Sequence, residues 1–185
     1  MSPREQLLTL LANRSARRGN FTLASGRQSS LYIDARLTTM SPDGLALIGP
    51  LGLATMRDAG WRPDAVGGLT LGADPVSYAI AYASALAGAP VRAFTVRKEA
   101  KQHGTGRLIE GPYREGDTVV VIEDVITTGG SALRAVEALR QAGATVAGVL
   151  AVVDREEGGR EAIEAAGLPV QALARAAEIV GRMPA

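Results

Sequence analysis

Glu123 and Asp124 stand side by side after the apolar run TVVVI. Behind them come Val125, Ile126, Thr127, Thr128, Gly129, Gly130 and Ser131, and then the helix-like pattern ALRAVEAL. Two adjacent carboxylates are costly to desolvate, so at the end of a buried strand they need partners. Gly129 and Gly130 let the backbone turn its N–H groups inward. The following helix start adds partial positive charge, and Thr127, Thr128 and Ser131 add hydroxyls. Together these residues form a cradle suited to a phosphate. The carboxylates accept hydrogen bonds and cannot donate them, so they suit sugar hydroxyls or a cation. Acids beside a phosphate cradle point to a phosphorylated sugar. Mg²⁺ would also be at home there, since it favours oxygen ligands and accompanies phosphates. The plainer alternative is a strand-turn-helix in which Ser131 is only a cap. That alternative leaves the acid pair unexplained.

A second group lies upstream in RKEAKQHGTGRLIEG. Arg97, Lys98, Lys101 and His103 place four cationic or potentially cationic groups within seven residues. Such a group can neutralise a polyanionic leaving group, with Arg as a fork, Lys as a point charge and His as donor or proton source. Stabilising developing charge is often the largest catalytic contribution. Gly104 and Gly106 flank the group, as the hinges of a closing lid would. Without the first motif, a solvated surface loop would serve as well.

The elements that must position these residues alternate in type. Ser2-Pro3-Arg4-Glu5 has the form of a capping box opening a helix to about Arg17, ended by Gly19. A strand is expected around Leu31 to Asp34. Ser41-Pro42-Asp43 opens a second helix that Gly60 stops. Strands are expected over 65–69, 91–96, 119–122, 145–153 and 170–173. Helices are expected from Asp74-Pro75 to near Gly88, over 131–141, 160–166 and 174–180. Apolar strands unbroken by polar residues and alternating with helices predict an α/β fold with a mostly parallel sheet covered on both faces. Residues 97–117 show no core periodicity, which is uncommon in a compact domain outside functional loops. The chain reads as one domain, 1–185, with residues 1–40 forming a small hood over the sheet.

Composition narrows the function further. The chain has 185 residues, 46% of them hydrophobic, which is enough for a substantial core. A net charge of +1 gives no general reason to expect nucleic acid. No apolar run reaches the roughly 18 residues of a membrane helix. There is no cysteine, which excludes disulfides and thiolate metal sites and favours an intracellular, cytoplasmic protein. The N-terminal MSPREQLLTLL reads as mature helix, not as a signal peptide. The phosphate cradle is neither a Walker loop nor a dinucleotide fingerprint, because neither glycine spacing occurs.

At this point the residues resemble a family. VVVIEDVITTGGSA is similar to the phosphoribosyl pyrophosphate (PRPP) signature of type I phosphoribosyltransferases. The resemblance implies that Glu123 and Asp124 hold ribose hydroxyls and that residues 125–131 hold the 5-phosphate. The basic group, R-K-E-x-K-x-H-G, resembles the catalytic loop of the orotate-specific branch more than that of the purine enzymes. It implies PRPP contacts by Arg97, Lys98, Lys101 and His103, and catalytic parts for Lys101, His103 and Arg97. It also implies a homodimer, because in that branch the loop reaches into the neighbouring subunit's site. FTLASGRQSSLYIDAR is similar to the branch's N-terminal segment over the base, and VVDREEGG to its strand-end Asp-Arg. Arg155 can pair bidentately with the carboxylate of orotate, and Thr127 can add a hydroxyl. The rival for Arg155 is a surface salt bridge with Glu156 or Glu157.

The resemblance therefore implies transfer of the 5-phosphoribosyl group from PRPP to orotate with Mg²⁺, a step of UMP biosynthesis. The metal would be held mainly through PRPP, with Asp124 available. Two departures stand out. Ala24 sits where many members have Lys. The stretch GGLTLGADPVS, at the position of the pyrophosphate loop, has no Lys; its backbone N–H groups remain, and Asp74 could take a metal or water. Two rivals stay open at this level: transfer to another base, and a PRPP sensor without turnover.

Overall fold

The apolar runs form the middle of a six-stranded sheet in the computed structural model, which describes residues 1–22, 28–99 and 108–184. The strands are β3 (Ala65–Leu69), β4 (Arg92–Val96), β5 (Ile109–Glu110), β6 (Thr118–Ile126), β7 (Thr145–Asp154) and β8 (Val170–Arg175). Their order is β5-β4-β3-β6-β7-β8. All neighbours are parallel except β5, which pairs antiparallel with the end of β4. A separate ribbon joins β1 (Ala16–Thr22) and β2 (Gln28–Ile33) antiparallel.

The pleat explains the unbroken apolar runs. Val120 and Ile122 face one core with Leu7, Leu11, Ile48, Ile80 and Leu150. Val119 and Val121 face the opposite core with Phe94, Ala135, Leu139 and Val149. Successive side chains point to opposite faces, so a strand covered on both sides must be apolar throughout. One cover is made by α1 (Pro3–Leu10), α3 (Pro42–Asp58) and α4 (Ala73–Leu86). The other is made by α5 (Gly130–Gln141) and α6 (Gly159–Ala165).

The chain leaves β3 through α4 to β4 on one side, and leaves β6 through α5 to β7 on the other. The winding direction reverses between β3 and β6. The crevice at the C-terminal ends of those two strands is where open α/β sheets bind ligands.

Several boundaries differ from the sequence-based expectations. The capping box is present: the Ser2 and Glu5 backbone N–H groups bond Glu5 Oε2 (2.7 Å) and Ser2 Oγ (3.3 Å). The helix does not run to Arg17. It widens into a π-helical segment, Leu11–Ser15, and the chain enters β1 at Ala16. Gly19 lies within that strand, not at a helix end; an added Cβ would meet the Phe21 ring at 3.1 Å. The Phe21 and Tyr32 rings stack across the ribbon at 5.3 Å. A short helix, α2 (Arg36–Thr39), follows β2, and residues 109–110 of the supposed loop pair with β4. Ala174 and Arg175 belong to β8, and α7 is Ala176–Val180. Two-residue strands and four-residue helices are too short to imprint a period on the sequence.

Candidate active site

Strand β6 does not stop before the acids. It carries Glu123 and Asp124 within its last turns of pleat and ends at Ile126, where Val125 and Ile126 still pair with Val153 and Asp154 of β7. The acids are therefore held by sheet register, a stiffer mount than a loop. They open into a cleft of about 520 Å³ at the switch point. Glu123 is 7% exposed, and its Oε1 is buried without a hydrogen-bond partner among the described residues. Burial, and then the charge of Asp124, push its carboxyl up to about 8. Burial likewise raises Asp124, offset in part by the Val125 N–H that donates to Oδ1 at 2.9 Å. Hydroxyl donors or a cation arriving with a ligand would favour the ionised, accepting form of these acids.

The turn after β6 is built for close approach. Gly129 has φ +80°, which a side chain would strain, and an added Cβ would also stand 2.8 Å from the Gly159 carbonyl oxygen. Thr127 and Ser131 line the cleft, and the first N–H groups of α5 follow. Thr128 is exposed at the turn. Ile126 plays a different part: its side chain is 2% exposed in the core, and its carbonyl accepts the Arg155 N–H at 2.9 Å.

Across the cleft, the tip of β7 presents Arg155. The Asp154 carboxylate accepts the Glu156 N–H (2.9 Å) and Arg160 Nε (2.8 Å), shaping the turn that aims Arg155 inward. The Arg155 side chain is 5% exposed, and its Nη2 donates to Glu157 Oε1 at 2.7 Å and to the Leu31 carbonyl of the ribbon at 3.1 Å. A salt bridge with Glu157 thus exists, but buried on the cleft wall and not at the surface. Arg155 Nε is buried without a partner among the described residues.

The third wall is the β3–α4 turn, with Leu69, Thr70, Leu71 and Gly72. The Thr70–Leu71 peptide is cis. Gly72 lies against Asp124: an added Cβ would stand 2.5 Å from its Oδ1. Asp74 does not offer an open carboxylate. Its two oxygens accept the hydroxyls of Thr70 (2.7 Å) and Thr95 (2.8 Å), so its part is to brace this turn.

The cleft gathers Lys98, Glu123, Asp124, Val125, Thr127, Ser131 and Arg155 of the expected set. Arg97 is not on its lining; it turns towards Glu110 at 3.7 Å. Lys101, His103 and Ala24 lie outside the described residues. The cleft also holds Tyr32, Asp34, Arg36 and Arg134, to which the sequence reading gave no role. The signal available for two of them was the Asp-x-Arg spacing at the end of β2. No cluster of three or more His, Cys, Asp or Glu exists among the described residues. Two neighbouring carboxylates fit a hard cation whose remaining ligands come from substrate oxygens and water.

Comparison with known proteins agrees with this geometry. The phosphoribosyl transferase domain family model matches residues 43–166. An orotate phosphoribosyltransferase of Aquifex aeolicus is 48% identical over 97% of this chain and 99% of its own. One from Bradyrhizobium (strain BTAi1) is 48% identical over 96% and 97%. The Mycobacterium tuberculosis H37Rv orotate phosphoribosyltransferase, solved with 5-phospho-α-D-ribosyl 1-diphosphate, superposes with a TM-score of 0.83 at 43% identity, covering 97% of this chain and 99% of that one. With the acid pair, the glycine turn and the facing arginine in one cleft, the chain belongs to the orotate phosphoribosyltransferase family, glycosyltransferases built on the phosphoribosyl transferase domain.

Proposed function

We propose that this chain transfers the 5-phosphoribosyl group of PRPP to orotate, giving orotidine 5′-phosphate and pyrophosphate on the route to UMP. The observation that carries the base assignment is Arg155, a buried guanidinium on the same cleft as the acid pair, whose Nε has no partner among the described residues. A carboxylated pyrimidine gives that group a partner, whereas a neutral purine leaves it none.

In this reading Glu123 and Asp124 accept the ribose hydroxyls, and the turn of residues 125–131 receives the 5-phosphate at the start of α5. Thr127 and Arg155 orient the base so that its ring nitrogen faces ribose C1. In a dissociative displacement the bond from C1 to the pyrophosphate oxygen breaks ahead of the new C–N bond; the electron pair leaves with pyrophosphate, which takes up the proton given up by the ring nitrogen. Positioning and fixed charge do most of the work. Mg²⁺, when bound with PRPP, would neutralise diphosphate charge and would be held mainly through PRPP, with Asp124 available as a protein ligand. The β1–β2 ribbon would serve as the hood over the base; its contact with Arg155 supports this.

The basic segment completes the site. Arg97 points away from its own cleft, which supports a homodimer in which Arg97, Lys101 and His103 act in the partner's site while Lys98 acts in its own. Helices α3 and α4 carry a surface that fits such a partner. Met40, Pro50, Tyr78, Tyr82 and Leu86 line an apolar groove of about 740 Å³, with Tyr82 69% and Leu86 73% exposed. No helix among the described residues is long and apolar enough to cross a membrane. The cytoplasmic location expected from the cysteine-free composition remains part of the proposal.

Pyrophosphate release separates this function from a PRPP sensor. The enzyme should release pyrophosphate only when PRPP and orotate are both present. Lys101→Ala should lose most turnover while still binding PRPP. A chain that binds PRPP but releases no pyrophosphate with orotate would overturn the proposal, and an unchanged steady-state rate in Lys101→Ala would remove the role assigned to the loop.

A further inference from the structure

One wall of the cleft lacks a cation of its own. Residues 63–91, which include β3, the Thr70–Gly72 turn and α4, contain no Lys or Arg. That turn offers backbone amides, and the carboxylate of Asp74 just after it is occupied by two hydroxyls. Yet the turn lies against Asp124, and a diphosphate placed there would meet that half-buried acid. Backbone amides alone do not offset that charge.

The other cations on the lining, Lys98, Arg134 and Arg155, stand away from the β3 turn. Arg155 is pinned by Glu157 and the ribbon. Arg134 donates to the Lys98 carbonyl at 3.3 Å, which places both residues on the α5 side. The remaining one is Arg36. Its side chain is half exposed and lines the same cleft as Leu71, Gly72 and Asp124. Arg36 and Asp124 line the same cleft, and the positive charge of Arg36 favours ionised Asp124.

Arg36 is also fixed in place. Asp34 takes Nε at 2.8 Å and Nη2 at 3.0 Å, and accepts the Arg36 backbone N–H at 3.2 Å. This two-point contact uses one edge of the guanidinium. The edge carrying Nη1 and the second Nη2 hydrogen makes no hydrogen bond with another described residue, and its geometry matches a phosphate. A cation already held in its binding rotamer loses little further freedom on engaging a ligand.

We infer that Arg36, aimed by Asp34, is the diphosphate-binding cation of the β3 wall, supplying the charge that the lysine-free turn lacks. This inference rests on the PRPP reading above. Arg36 is a substrate-binding residue in it, and Asp34 a positioning residue.

Arg36→Ala, Arg36→Lys and Asp34→Asn test it through KM for PRPP, KM for orotate, product inhibition by pyrophosphate, and thermal midpoints. Arg36→Ala should raise KM for PRPP and weaken pyrophosphate inhibition by about tenfold or more, the loss of a charge-assisted contact. The orotate KM should stay within about twofold, and Arg36→Lys should recover part of the loss. Asp34→Asn should shift the same two constants by less. PRPP and pyrophosphate constants unchanged in Arg36→Ala would overturn the inference. So would a change confined to orotate KM, or a lowered melting midpoint with ligand constants intact. Wild-type turnover in the same preparation tests the parent reading separately. Should it be absent, calorimetric titration of wild type and Arg36→Ala with pyrophosphate alone still decides the role of Arg36: equal affinities would overturn it.

Discussion

A carboxyl group largely kept from water prefers to stay protonated, and Glu123, with one oxygen buried and unpartnered among the described residues, is in that position. Its value of about 8 in the folded chain lies above its ordinary 4.5. Between those values the folded chain holds a proton that the unfolded chain has released. The contribution of Glu123 to stability is therefore greatest below about 4.5, declines as pH rises, and levels off above about 8. Glu123→Gln, neutral at every pH, should melt higher than wild type at pH 8.5 without ligand, and the difference should vanish near pH 4.5. Paired melting curves across that range check this; a constant offset would contradict it. Arg155 makes the opposite case, a buried charge retained for a ligand. Arg155→Ala should raise orotate KM by about tenfold to a hundredfold, from loss of one charge-assisted contact, with PRPP KM little changed. Both residues were legible in the sequence because a charge at the end of an apolar run is conspicuous. The burial of the Arg155–Glu157 pair was not, since burial there depends on the ribbon closing over it.

At the scale of elements, the strands were the most legible part. Val119 to Ile122 and the β7 run are apolar on both pleat faces, and no solvated structure tolerates that. The ends of elements were less legible. Nothing local distinguishes Leu11–Ser15 as a widened π turn, and β1 exists because it pairs with β2 and packs Phe21 on Tyr32. Pairing across the chain is long-range information that a window of sequence does not contain. The β3–α4 turn was marked in the sequence as a candidate backbone anion site, but the close approach of Gly72 to Asp124 was not. Gly72→Ala would place a methyl group 2.5 Å from Asp124 Oδ1. Either the turn or the acid must move, and PRPP KM should rise by roughly tenfold, the effect of about 1.4 kcal/mol. Steady-state kinetics at fixed orotate measure it.

For the molecule as a whole, the reversal of winding between β3 and β6 explains why groups from five stretches of sequence meet. The acids come from β6, the phosphate turn from the start of α5, Arg155 from β7, Arg36 from α2 and the lysine-free turn from β3. In the proposed dimer the basic segment arrives from the partner. Mixing Lys101→Ala with Arg155→Ala should then, at orotate below the wild-type KM, raise activity well above that of either variant alone. About half the dimers would be mixed, each with one intact site, giving roughly a quarter of wild-type turnover. No restoration would contradict shared sites. The central claim is the base, and one measurement addresses it most directly. The loss of orotate absorbance is followed with PRPP and Mg²⁺, beside parallel reactions with uracil, adenine and hypoxanthine. Rapid turnover of orotate and none of the other three is expected. No reaction with orotate but turnover of another base would contradict the assignment of Arg155 and the function built on it.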